Sequence, residues 1–141
     1  MIDKFKKTWQ QASEIIKEQA NTLSDGALDK TYKLFDQWAT VFPQLQENGL
    51  MMKSFGISVA LSPAMEVVLE GAALEFSPER LQELIEENRS STILTSIFRT
   101  MKMAVDLHIK TEGPDFGPIH LKIVVKIPPE IKVVLGEPSI L

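Results

Sequence analysis

The sequence predicts an α+β domain. An N-terminal helix pair should be followed by a largely antiparallel sheet of about five strands, with helices inserted between two copies of a strand–proline–strand unit. Three observations carry this. The stretch Phe55–Leu69, FGISVALSPAMEVVL, returns sixty-six positions later as Leu121–Leu135, LKIVVKIPPEIKVVL. Both copies place apolar residues at every second position, the pattern of a half-buried strand. The segments before and between the copies carry apolar residues at three-and-four spacing, the pattern of an amphipathic helix.

The 141 residues fit a single domain, 1–141, with a helical pair over 1–48 and an α+β core over 49–141 holding repeat units at about 55–71 and 121–137. Residues 2–23 are predicted as the first helix, with Ile2, Phe5, Trp9, Ala12, Ile16 and Leu23 on one face. Ser24-Asp25-Gly26 interrupts it with capping residue types. A second helix is expected from about Ala27 to Phe42, with Leu28, Phe35 and Phe42 a heptad apart and Leu34, Trp38, Val41 and Leu45 widening the stripe. Pro43 should disturb it, and Asn48-Gly49 ends the pattern. A short connection implies antiparallel packing of the two helices. Their aromatic stripe fits core packing; as an alternative, Phe5, Trp9, Phe35, Trp38 and Phe42 would form an oligomerising or partner-binding surface.

In the first unit Phe55, Ile57, Val59 and Leu61 alternate with small polar or small residues, and Met65, Val67 and Leu69 resume the series after Pro63. Proline cannot donate to a ladder, so Pro63 ends or bends the strand. A reversal there that keeps one apolar face pairs Leu61 with Met65, Val59 with Val67 and Ile57 with Leu69. The same rule pairs Ile127 with Ile131, Val125 with Val133 and Ile123 with Leu135. The second strand of the first unit is expected to run on to Phe76, with Gly71 marking a bulge or a close backbone approach. Ser77-Pro78-Glu79 is a helix start: an N-cap, a proline in the first turn and an early acid. Helices are predicted at about 78–88 and 91–102, separated by Asn88-Arg89-Ser90-Ser91. Val105, Leu107 and Ile109 then alternate with Asp106, His108 and Lys110, predicting a further strand before the loop Gly113–Pro118. Strands 119–127 and 131–136 complete the sheet.

Composition narrows function by exclusion. A formal net charge of −4 argues against a general nucleic-acid binder. With no cysteine, disulfide scaffolds, thiolate zinc sites and cysteine nucleophiles are excluded. The first residues lack the apolar core of a signal peptide and no run is long enough to span a bilayer, so a cytoplasmic location without a transmembrane segment is expected. No phosphate-binding glycine loop, HExxH zinc motif or nucleophile elbow is present. One constellation could carry chemistry: if Ile109 paired with Ile119, His108 would lie opposite His120 and Asp106 opposite Lys122, placing two imidazoles and a carboxylate on one face. A solvated hairpin face explains the same residues. The acids Glu66, Glu70, Glu75, Glu79, Glu83, Glu86 and Glu87 and the bases Lys122, Lys126 and Lys132 read as a solvated helix face and an ordinary sheet surface; the alternative is electrostatic pairing between the two units, within a chain or across a dimer.

The resulting expectation is a small non-enzymatic binding protein without a cofactor or metal. An apolar or lipid-like ligand would be held between sheet and helices, against Ile57, Val59, Val67, Leu69, Ile123, Val125, Val133 and Leu135. The alternative is a homo-oligomeric interaction or scaffold protein, with a homodimer built on the N-terminal amphipathic helices.

Overall fold

A computed structural model describes residues 25–58 and 63–136. Its elements are helix α1 (Asp25–Glu47), strands β1 (Met51–Ser58) and β2 (Ala64–Gly71), a 3-10 turn (Ala73–Glu75), helices α2 (Pro78–Glu87) and α3 (Thr92–Glu112), and strands β3 (Ile119–Val125) and β4 (Glu130–Leu135). The predicted helix over 2–23, with Phe5 and Trp9, lies outside the described residues, as does Val59. The described strands form one four-stranded antiparallel sheet in the order β1-β2-β3-β4, so the α+β class holds and the expected strand number is corrected from five to four.

The missing strand is the one predicted over 105–109. Those residues belong to α3, whose buried positions Leu94, Thr95, Ile97, Phe98, Met101 and Val105 continue one three-and-four stripe. Nothing between Thr92 and Glu112 breaks a helix, and three alternating residues are too few to outweigh that longer period. The helix stops at Gly113, which takes φ +97° and donates its N–H to the Ile109 carbonyl at 3.2 Å. At its start the Ser91 hydroxyl accepts from the Leu94 N–H at 3.1 Å. Likewise Ser77 caps α2 by accepting from the Arg80 N–H at 3.2 Å, with Pro78 in the first turn.

Two further boundaries move. Helix α1 continues through Pro43 to Glu47. β2 ends at Gly71, and the stretch expected to extend it to Phe76 turns away as the 3-10 segment. Gly71 is a close-approach glycine: a Cβ there would lie 2.9 Å from Phe76 Cδ2 and 3.1 Å from Leu50 Cδ2. The bulge lies instead in β1, where the register shifts between Met52 and Ser54 and leaves Lys53 as the extra residue.

Both hairpins have registers different from the predicted ones, and by the same amount. Ile57 faces Met65 and Phe55 faces Val67, while Ile123 faces Ile131 and Leu121 faces Val133. Each pairing slides by four residues, an even number, so every side chain keeps its predicted face. Ser58 opposite Ala64 and Val124 opposite Glu130 are again sixty-six positions apart. Neither hairpin has a glycine where a tight three-residue loop favours one, so the longer connection is the less strained solution.

The units meet along β2 and β3, where Val67 lies opposite Ile123 and Leu69 opposite Leu121. Met65, Val67, Leu69, Ile119, Leu121, Ile123 and Val125 are fully buried on this face. They form one core with Phe35, Trp38, Phe42 and Leu45 of α1, Leu81 and Leu84 of α2, and Ile97, Phe98, Met101 and Val105 of α3. The helices therefore cover the apolar face, and the other face carries Glu66, Val68, Glu70, His120, Lys122 and Val124.

Candidate functional site

The three residues expected to share a polar hairpin face are dispersed. Asp106 accepts from Lys102 Nζ at 2.8 Å, one turn away on α3. The Nδ1 atom of His108 lies 3.2 Å from the Gly113 carbonyl, and its ring meets Phe116 edge-on with centroids 6.2 Å apart. His120 sits on β3 opposite Glu70 and Val134, only 8% exposed, with no hydrogen-bond partner for its Nε2 among the described residues. The pairing of Ile109 with Ile119 does not occur, because Ile119 faces Leu135 and Gly71. Among the described residues no group of three His, Asp or Glu side chains could hold a metal ion.

Phe35, Trp38 and Phe42 are core residues, with the Trp38 and Phe42 rings 5.7 Å apart. An interface built on them would require α1 to leave the core. Of the residues expected to touch an apolar ligand, Val67, Leu69, Ile123 and Val125 are sealed at the centre of the sheet. Ile57, Val133 and Leu135 lie on the outer strands and are only half-buried against that core. Burial is thus graded across the face: inner strands have neighbours on both sides, and outer strands have one.

One ion pair does join the two units, as in the alternative to a merely solvated surface. Lys122 Nζ of the second unit lies 3.4 Å from a Glu66 carboxylate oxygen of the first. Lys126 pairs within its own unit, with Glu130 at 3.8 Å. These are exposed pairs that select a register more than they stabilise it.

Among the described residues, the open clefts outside the helix-covered core include two on the sheet. The smaller, about 320 Å³, runs along β1 and is lined by Ser54, Gly56, Ser58, Ala64, Glu66 and Val124 among others. Its walls combine small residues of β1 with Phe55, Ile57 and Glu66. The larger, about 440 Å³, lies where β1 begins and β2 ends. Gly49, Gly71, Ala72 and Pro118 give it a small-residue floor, and Met51, Lys53, Glu70 and Glu75 line it with charge and one flexible apolar chain. Lys53, set out by the bulge, pairs with Glu70 at 3.3 Å. The Glu75 carboxylate folds against the Gly49 turn, where a Cβ would come within 2.7 Å of its Oε2. Glu75 has no ion-pair partner among the described residues. Beside it Leu74 is 98% exposed and Met51 is 47% exposed.

Sequence reasoning missed this cleft. Its local signals were present in Gly49 and Gly71, but their convergence depends on β2 stopping at Gly71 and on the turn that carries Leu74 outward. No helix among the described residues is long and apolar enough to cross a membrane. Compared with protein-family models, curated proteins and solved structures, the chain matches none.

Proposed function

We propose that this chain is a small non-enzymatic binding protein of the cytoplasm that works by surface contact at the cleft between Gly49, Met51, Gly71 and Glu75. The observation that supports this is the combination of an open cleft of about 440 Å³ with exposed Met51 and Leu74 at its side. Exposed apolar groups beside a concave, partly charged surface are the usual make-up of a docking site.

A second reading keeps the apolar ligand expected from the repeat. It is supported by the half-buried Ile57, Ile131, Val133 and Leu135, which leave the margins of the apolar face less tightly covered than its centre. An acyl chain would enter at a margin, because the inner-strand positions are already filled by helix side chains.

Titrating the full chain with 1-anilinonaphthalene-8-sulfonate while recording backbone amide spectra separates the two. Shifts centred on Gly49, Met51, Gly71 and Ala72 are the expected result. Shifts centred on Ile57, Ile131 and Val133 favour the margin. A spectrum unchanged at millimolar probe removes both.

A further inference from the structure

We infer that the occupant of the larger cleft is a second copy of this chain, with Leu74 of each copy inserted beside Gly71 and Ala72 of the other in a two-fold dimer. This rests on the reading of the cleft as a docking site and names its partner.

An exposed leucine on its own calls for no explanation. Leu74 differs by its position. It stands between two cleft-lining residues, Ala72 and Glu75, on a turn that leaves it 98% exposed. A protruding apolar side chain and a small-residue hollow therefore belong to one continuous patch. Such a patch is self-complementary under two-fold rotation, because the projection of one copy meets the hollow of the other twice over. Gly71 has a steric reason to be small, since Phe76 and Leu50 occupy the space its Cβ would take, while Ala72 beside it is exposed at the cleft.

The charges fit the same rotation. Lys53 and Glu75 line the cleft together, Lys53 holding one carboxylate at 3.3 Å and Glu75 holding no ion pair among the described residues. A two-fold axis through the patch brings the Glu75 carboxylate of one copy towards the Lys53 ammonium of the other, and the converse. Each lysine then bridges Glu70 of its own chain and Glu75 of the second. Opposite charges at the rim of an apolar contact fix orientation and raise the association rate more than they add affinity. With Met51 flanking the insertion, each half of the contact has an apolar centre and a charged rim, the usual anatomy of a protein interface.

The test is sedimentation equilibrium of the full chain over a concentration series, alongside Leu74→Glu, Leu74→Met and Glu75→Lys. The wild type should reach twice the chain mass, and Leu74→Met should match it. Leu74→Glu should weaken the dimer by at least about thirtyfold, the scale of an interface anchor. Glu75→Lys, which sets two ammonium groups against each other, should weaken it by about fivefold, the scale of an exposed ion pair, and this difference should shrink in high salt. Because Leu74 contacts solvent, a cooperative thermal transition in Leu74→Glu at the midpoint of wild type diluted to monomer will show that lost association is not lost folding. A wild type that stays monomeric overturns the inference, and the probe titration above then judges the cleft separately. A dimer indifferent to Leu74→Glu overturns it too, by placing the interface elsewhere.

Discussion

His120 shows how much a residue's setting depends on its neighbours in space. In the sequence it alternates with Ile119 and Leu121 and reads as a solvated position. In the fold it is buried between β2 and β4, with no hydrogen-bond partner for its Nε2 among the described residues. An unsatisfied buried polar atom costs about 1–3 kcal/mol in lost hydration, while the ring still contributes packing. His120→Ala should therefore destabilise by more than the ~0.5 kcal/mol of a surface change, and His120→Leu, which keeps the volume and removes the polar atom, should match or exceed the wild type in urea unfolding. Asp106 is the opposite case. Its partner Lys102 is on the same exposed helix face, with lysine on the less favourable N-terminal side, so Asp106→Asn should shift stability by no more than about 0.5 kcal/mol. Gly71→Ala should cost about 1–3 kcal/mol, because a Cβ must displace the buried Phe76 ring or Leu50. An alanine variant as stable as the wild type would mean that this corner repacks freely.

At the scale of elements, what the sequence made legible was what local chemistry determines. Ser77 and Pro78 marked a helix start because an N-cap oxygen and a donor-less first turn suit that position, and the Ser77 hydroxyl does accept from Arg80. Ser77→Ala should cost about 1 kcal/mol, read as a lowered midpoint with an unchanged denaturant slope. The faces of the hairpins were equally legible, since period two fixes which side chains share a side. Their register was not. A slide of four residues preserves the faces, and only the geometry of the connection selects among such slides. Residues 105–109 misled because Val105, Leu107 and Ile109 satisfy a strand pattern and Met101 and Val105 a helix pattern. The uninterrupted run from Thr92 decides between them, and with it the assembly of Asp106, His108 and His120 disappears. The larger cleft was illegible for a related reason: it is bounded by Gly49, Gly71 and Pro118, which come together only after β1 pairs with β2 and β2 with β3.

For the whole molecule, the repeat explains why the sheet is strongest at its centre. Two copies of one hairpin join through β2 and β3, so the inner strands gain neighbours on both sides while β1 and β4 form the edges. Equivalent positions in the two units are therefore not equivalent in energy. Val67→Ala removes fully buried methyl groups and should cost about 1–3 kcal/mol, and Val133→Ala, at the half-buried edge, should cost clearly less. Equal losses would show β4 to be as firmly covered as β2. The same layout predicts the result of removing residues 1–23. All the buried core residues of the described chain lie between Phe35 and Val125, and they already bring the three helices and the sheet into one cluster. The shortened chain should keep its β-sheet signal in circular dichroism and unfold in one cooperative transition. Its solubility or its association should change, because the deleted stretch carries Phe5 and Trp9 on one apolar stripe. Loss of the sheet signal after the deletion would place that stripe inside the core, and the cluster centred on Val67 and Ile123 would then be insufficient to hold the fold.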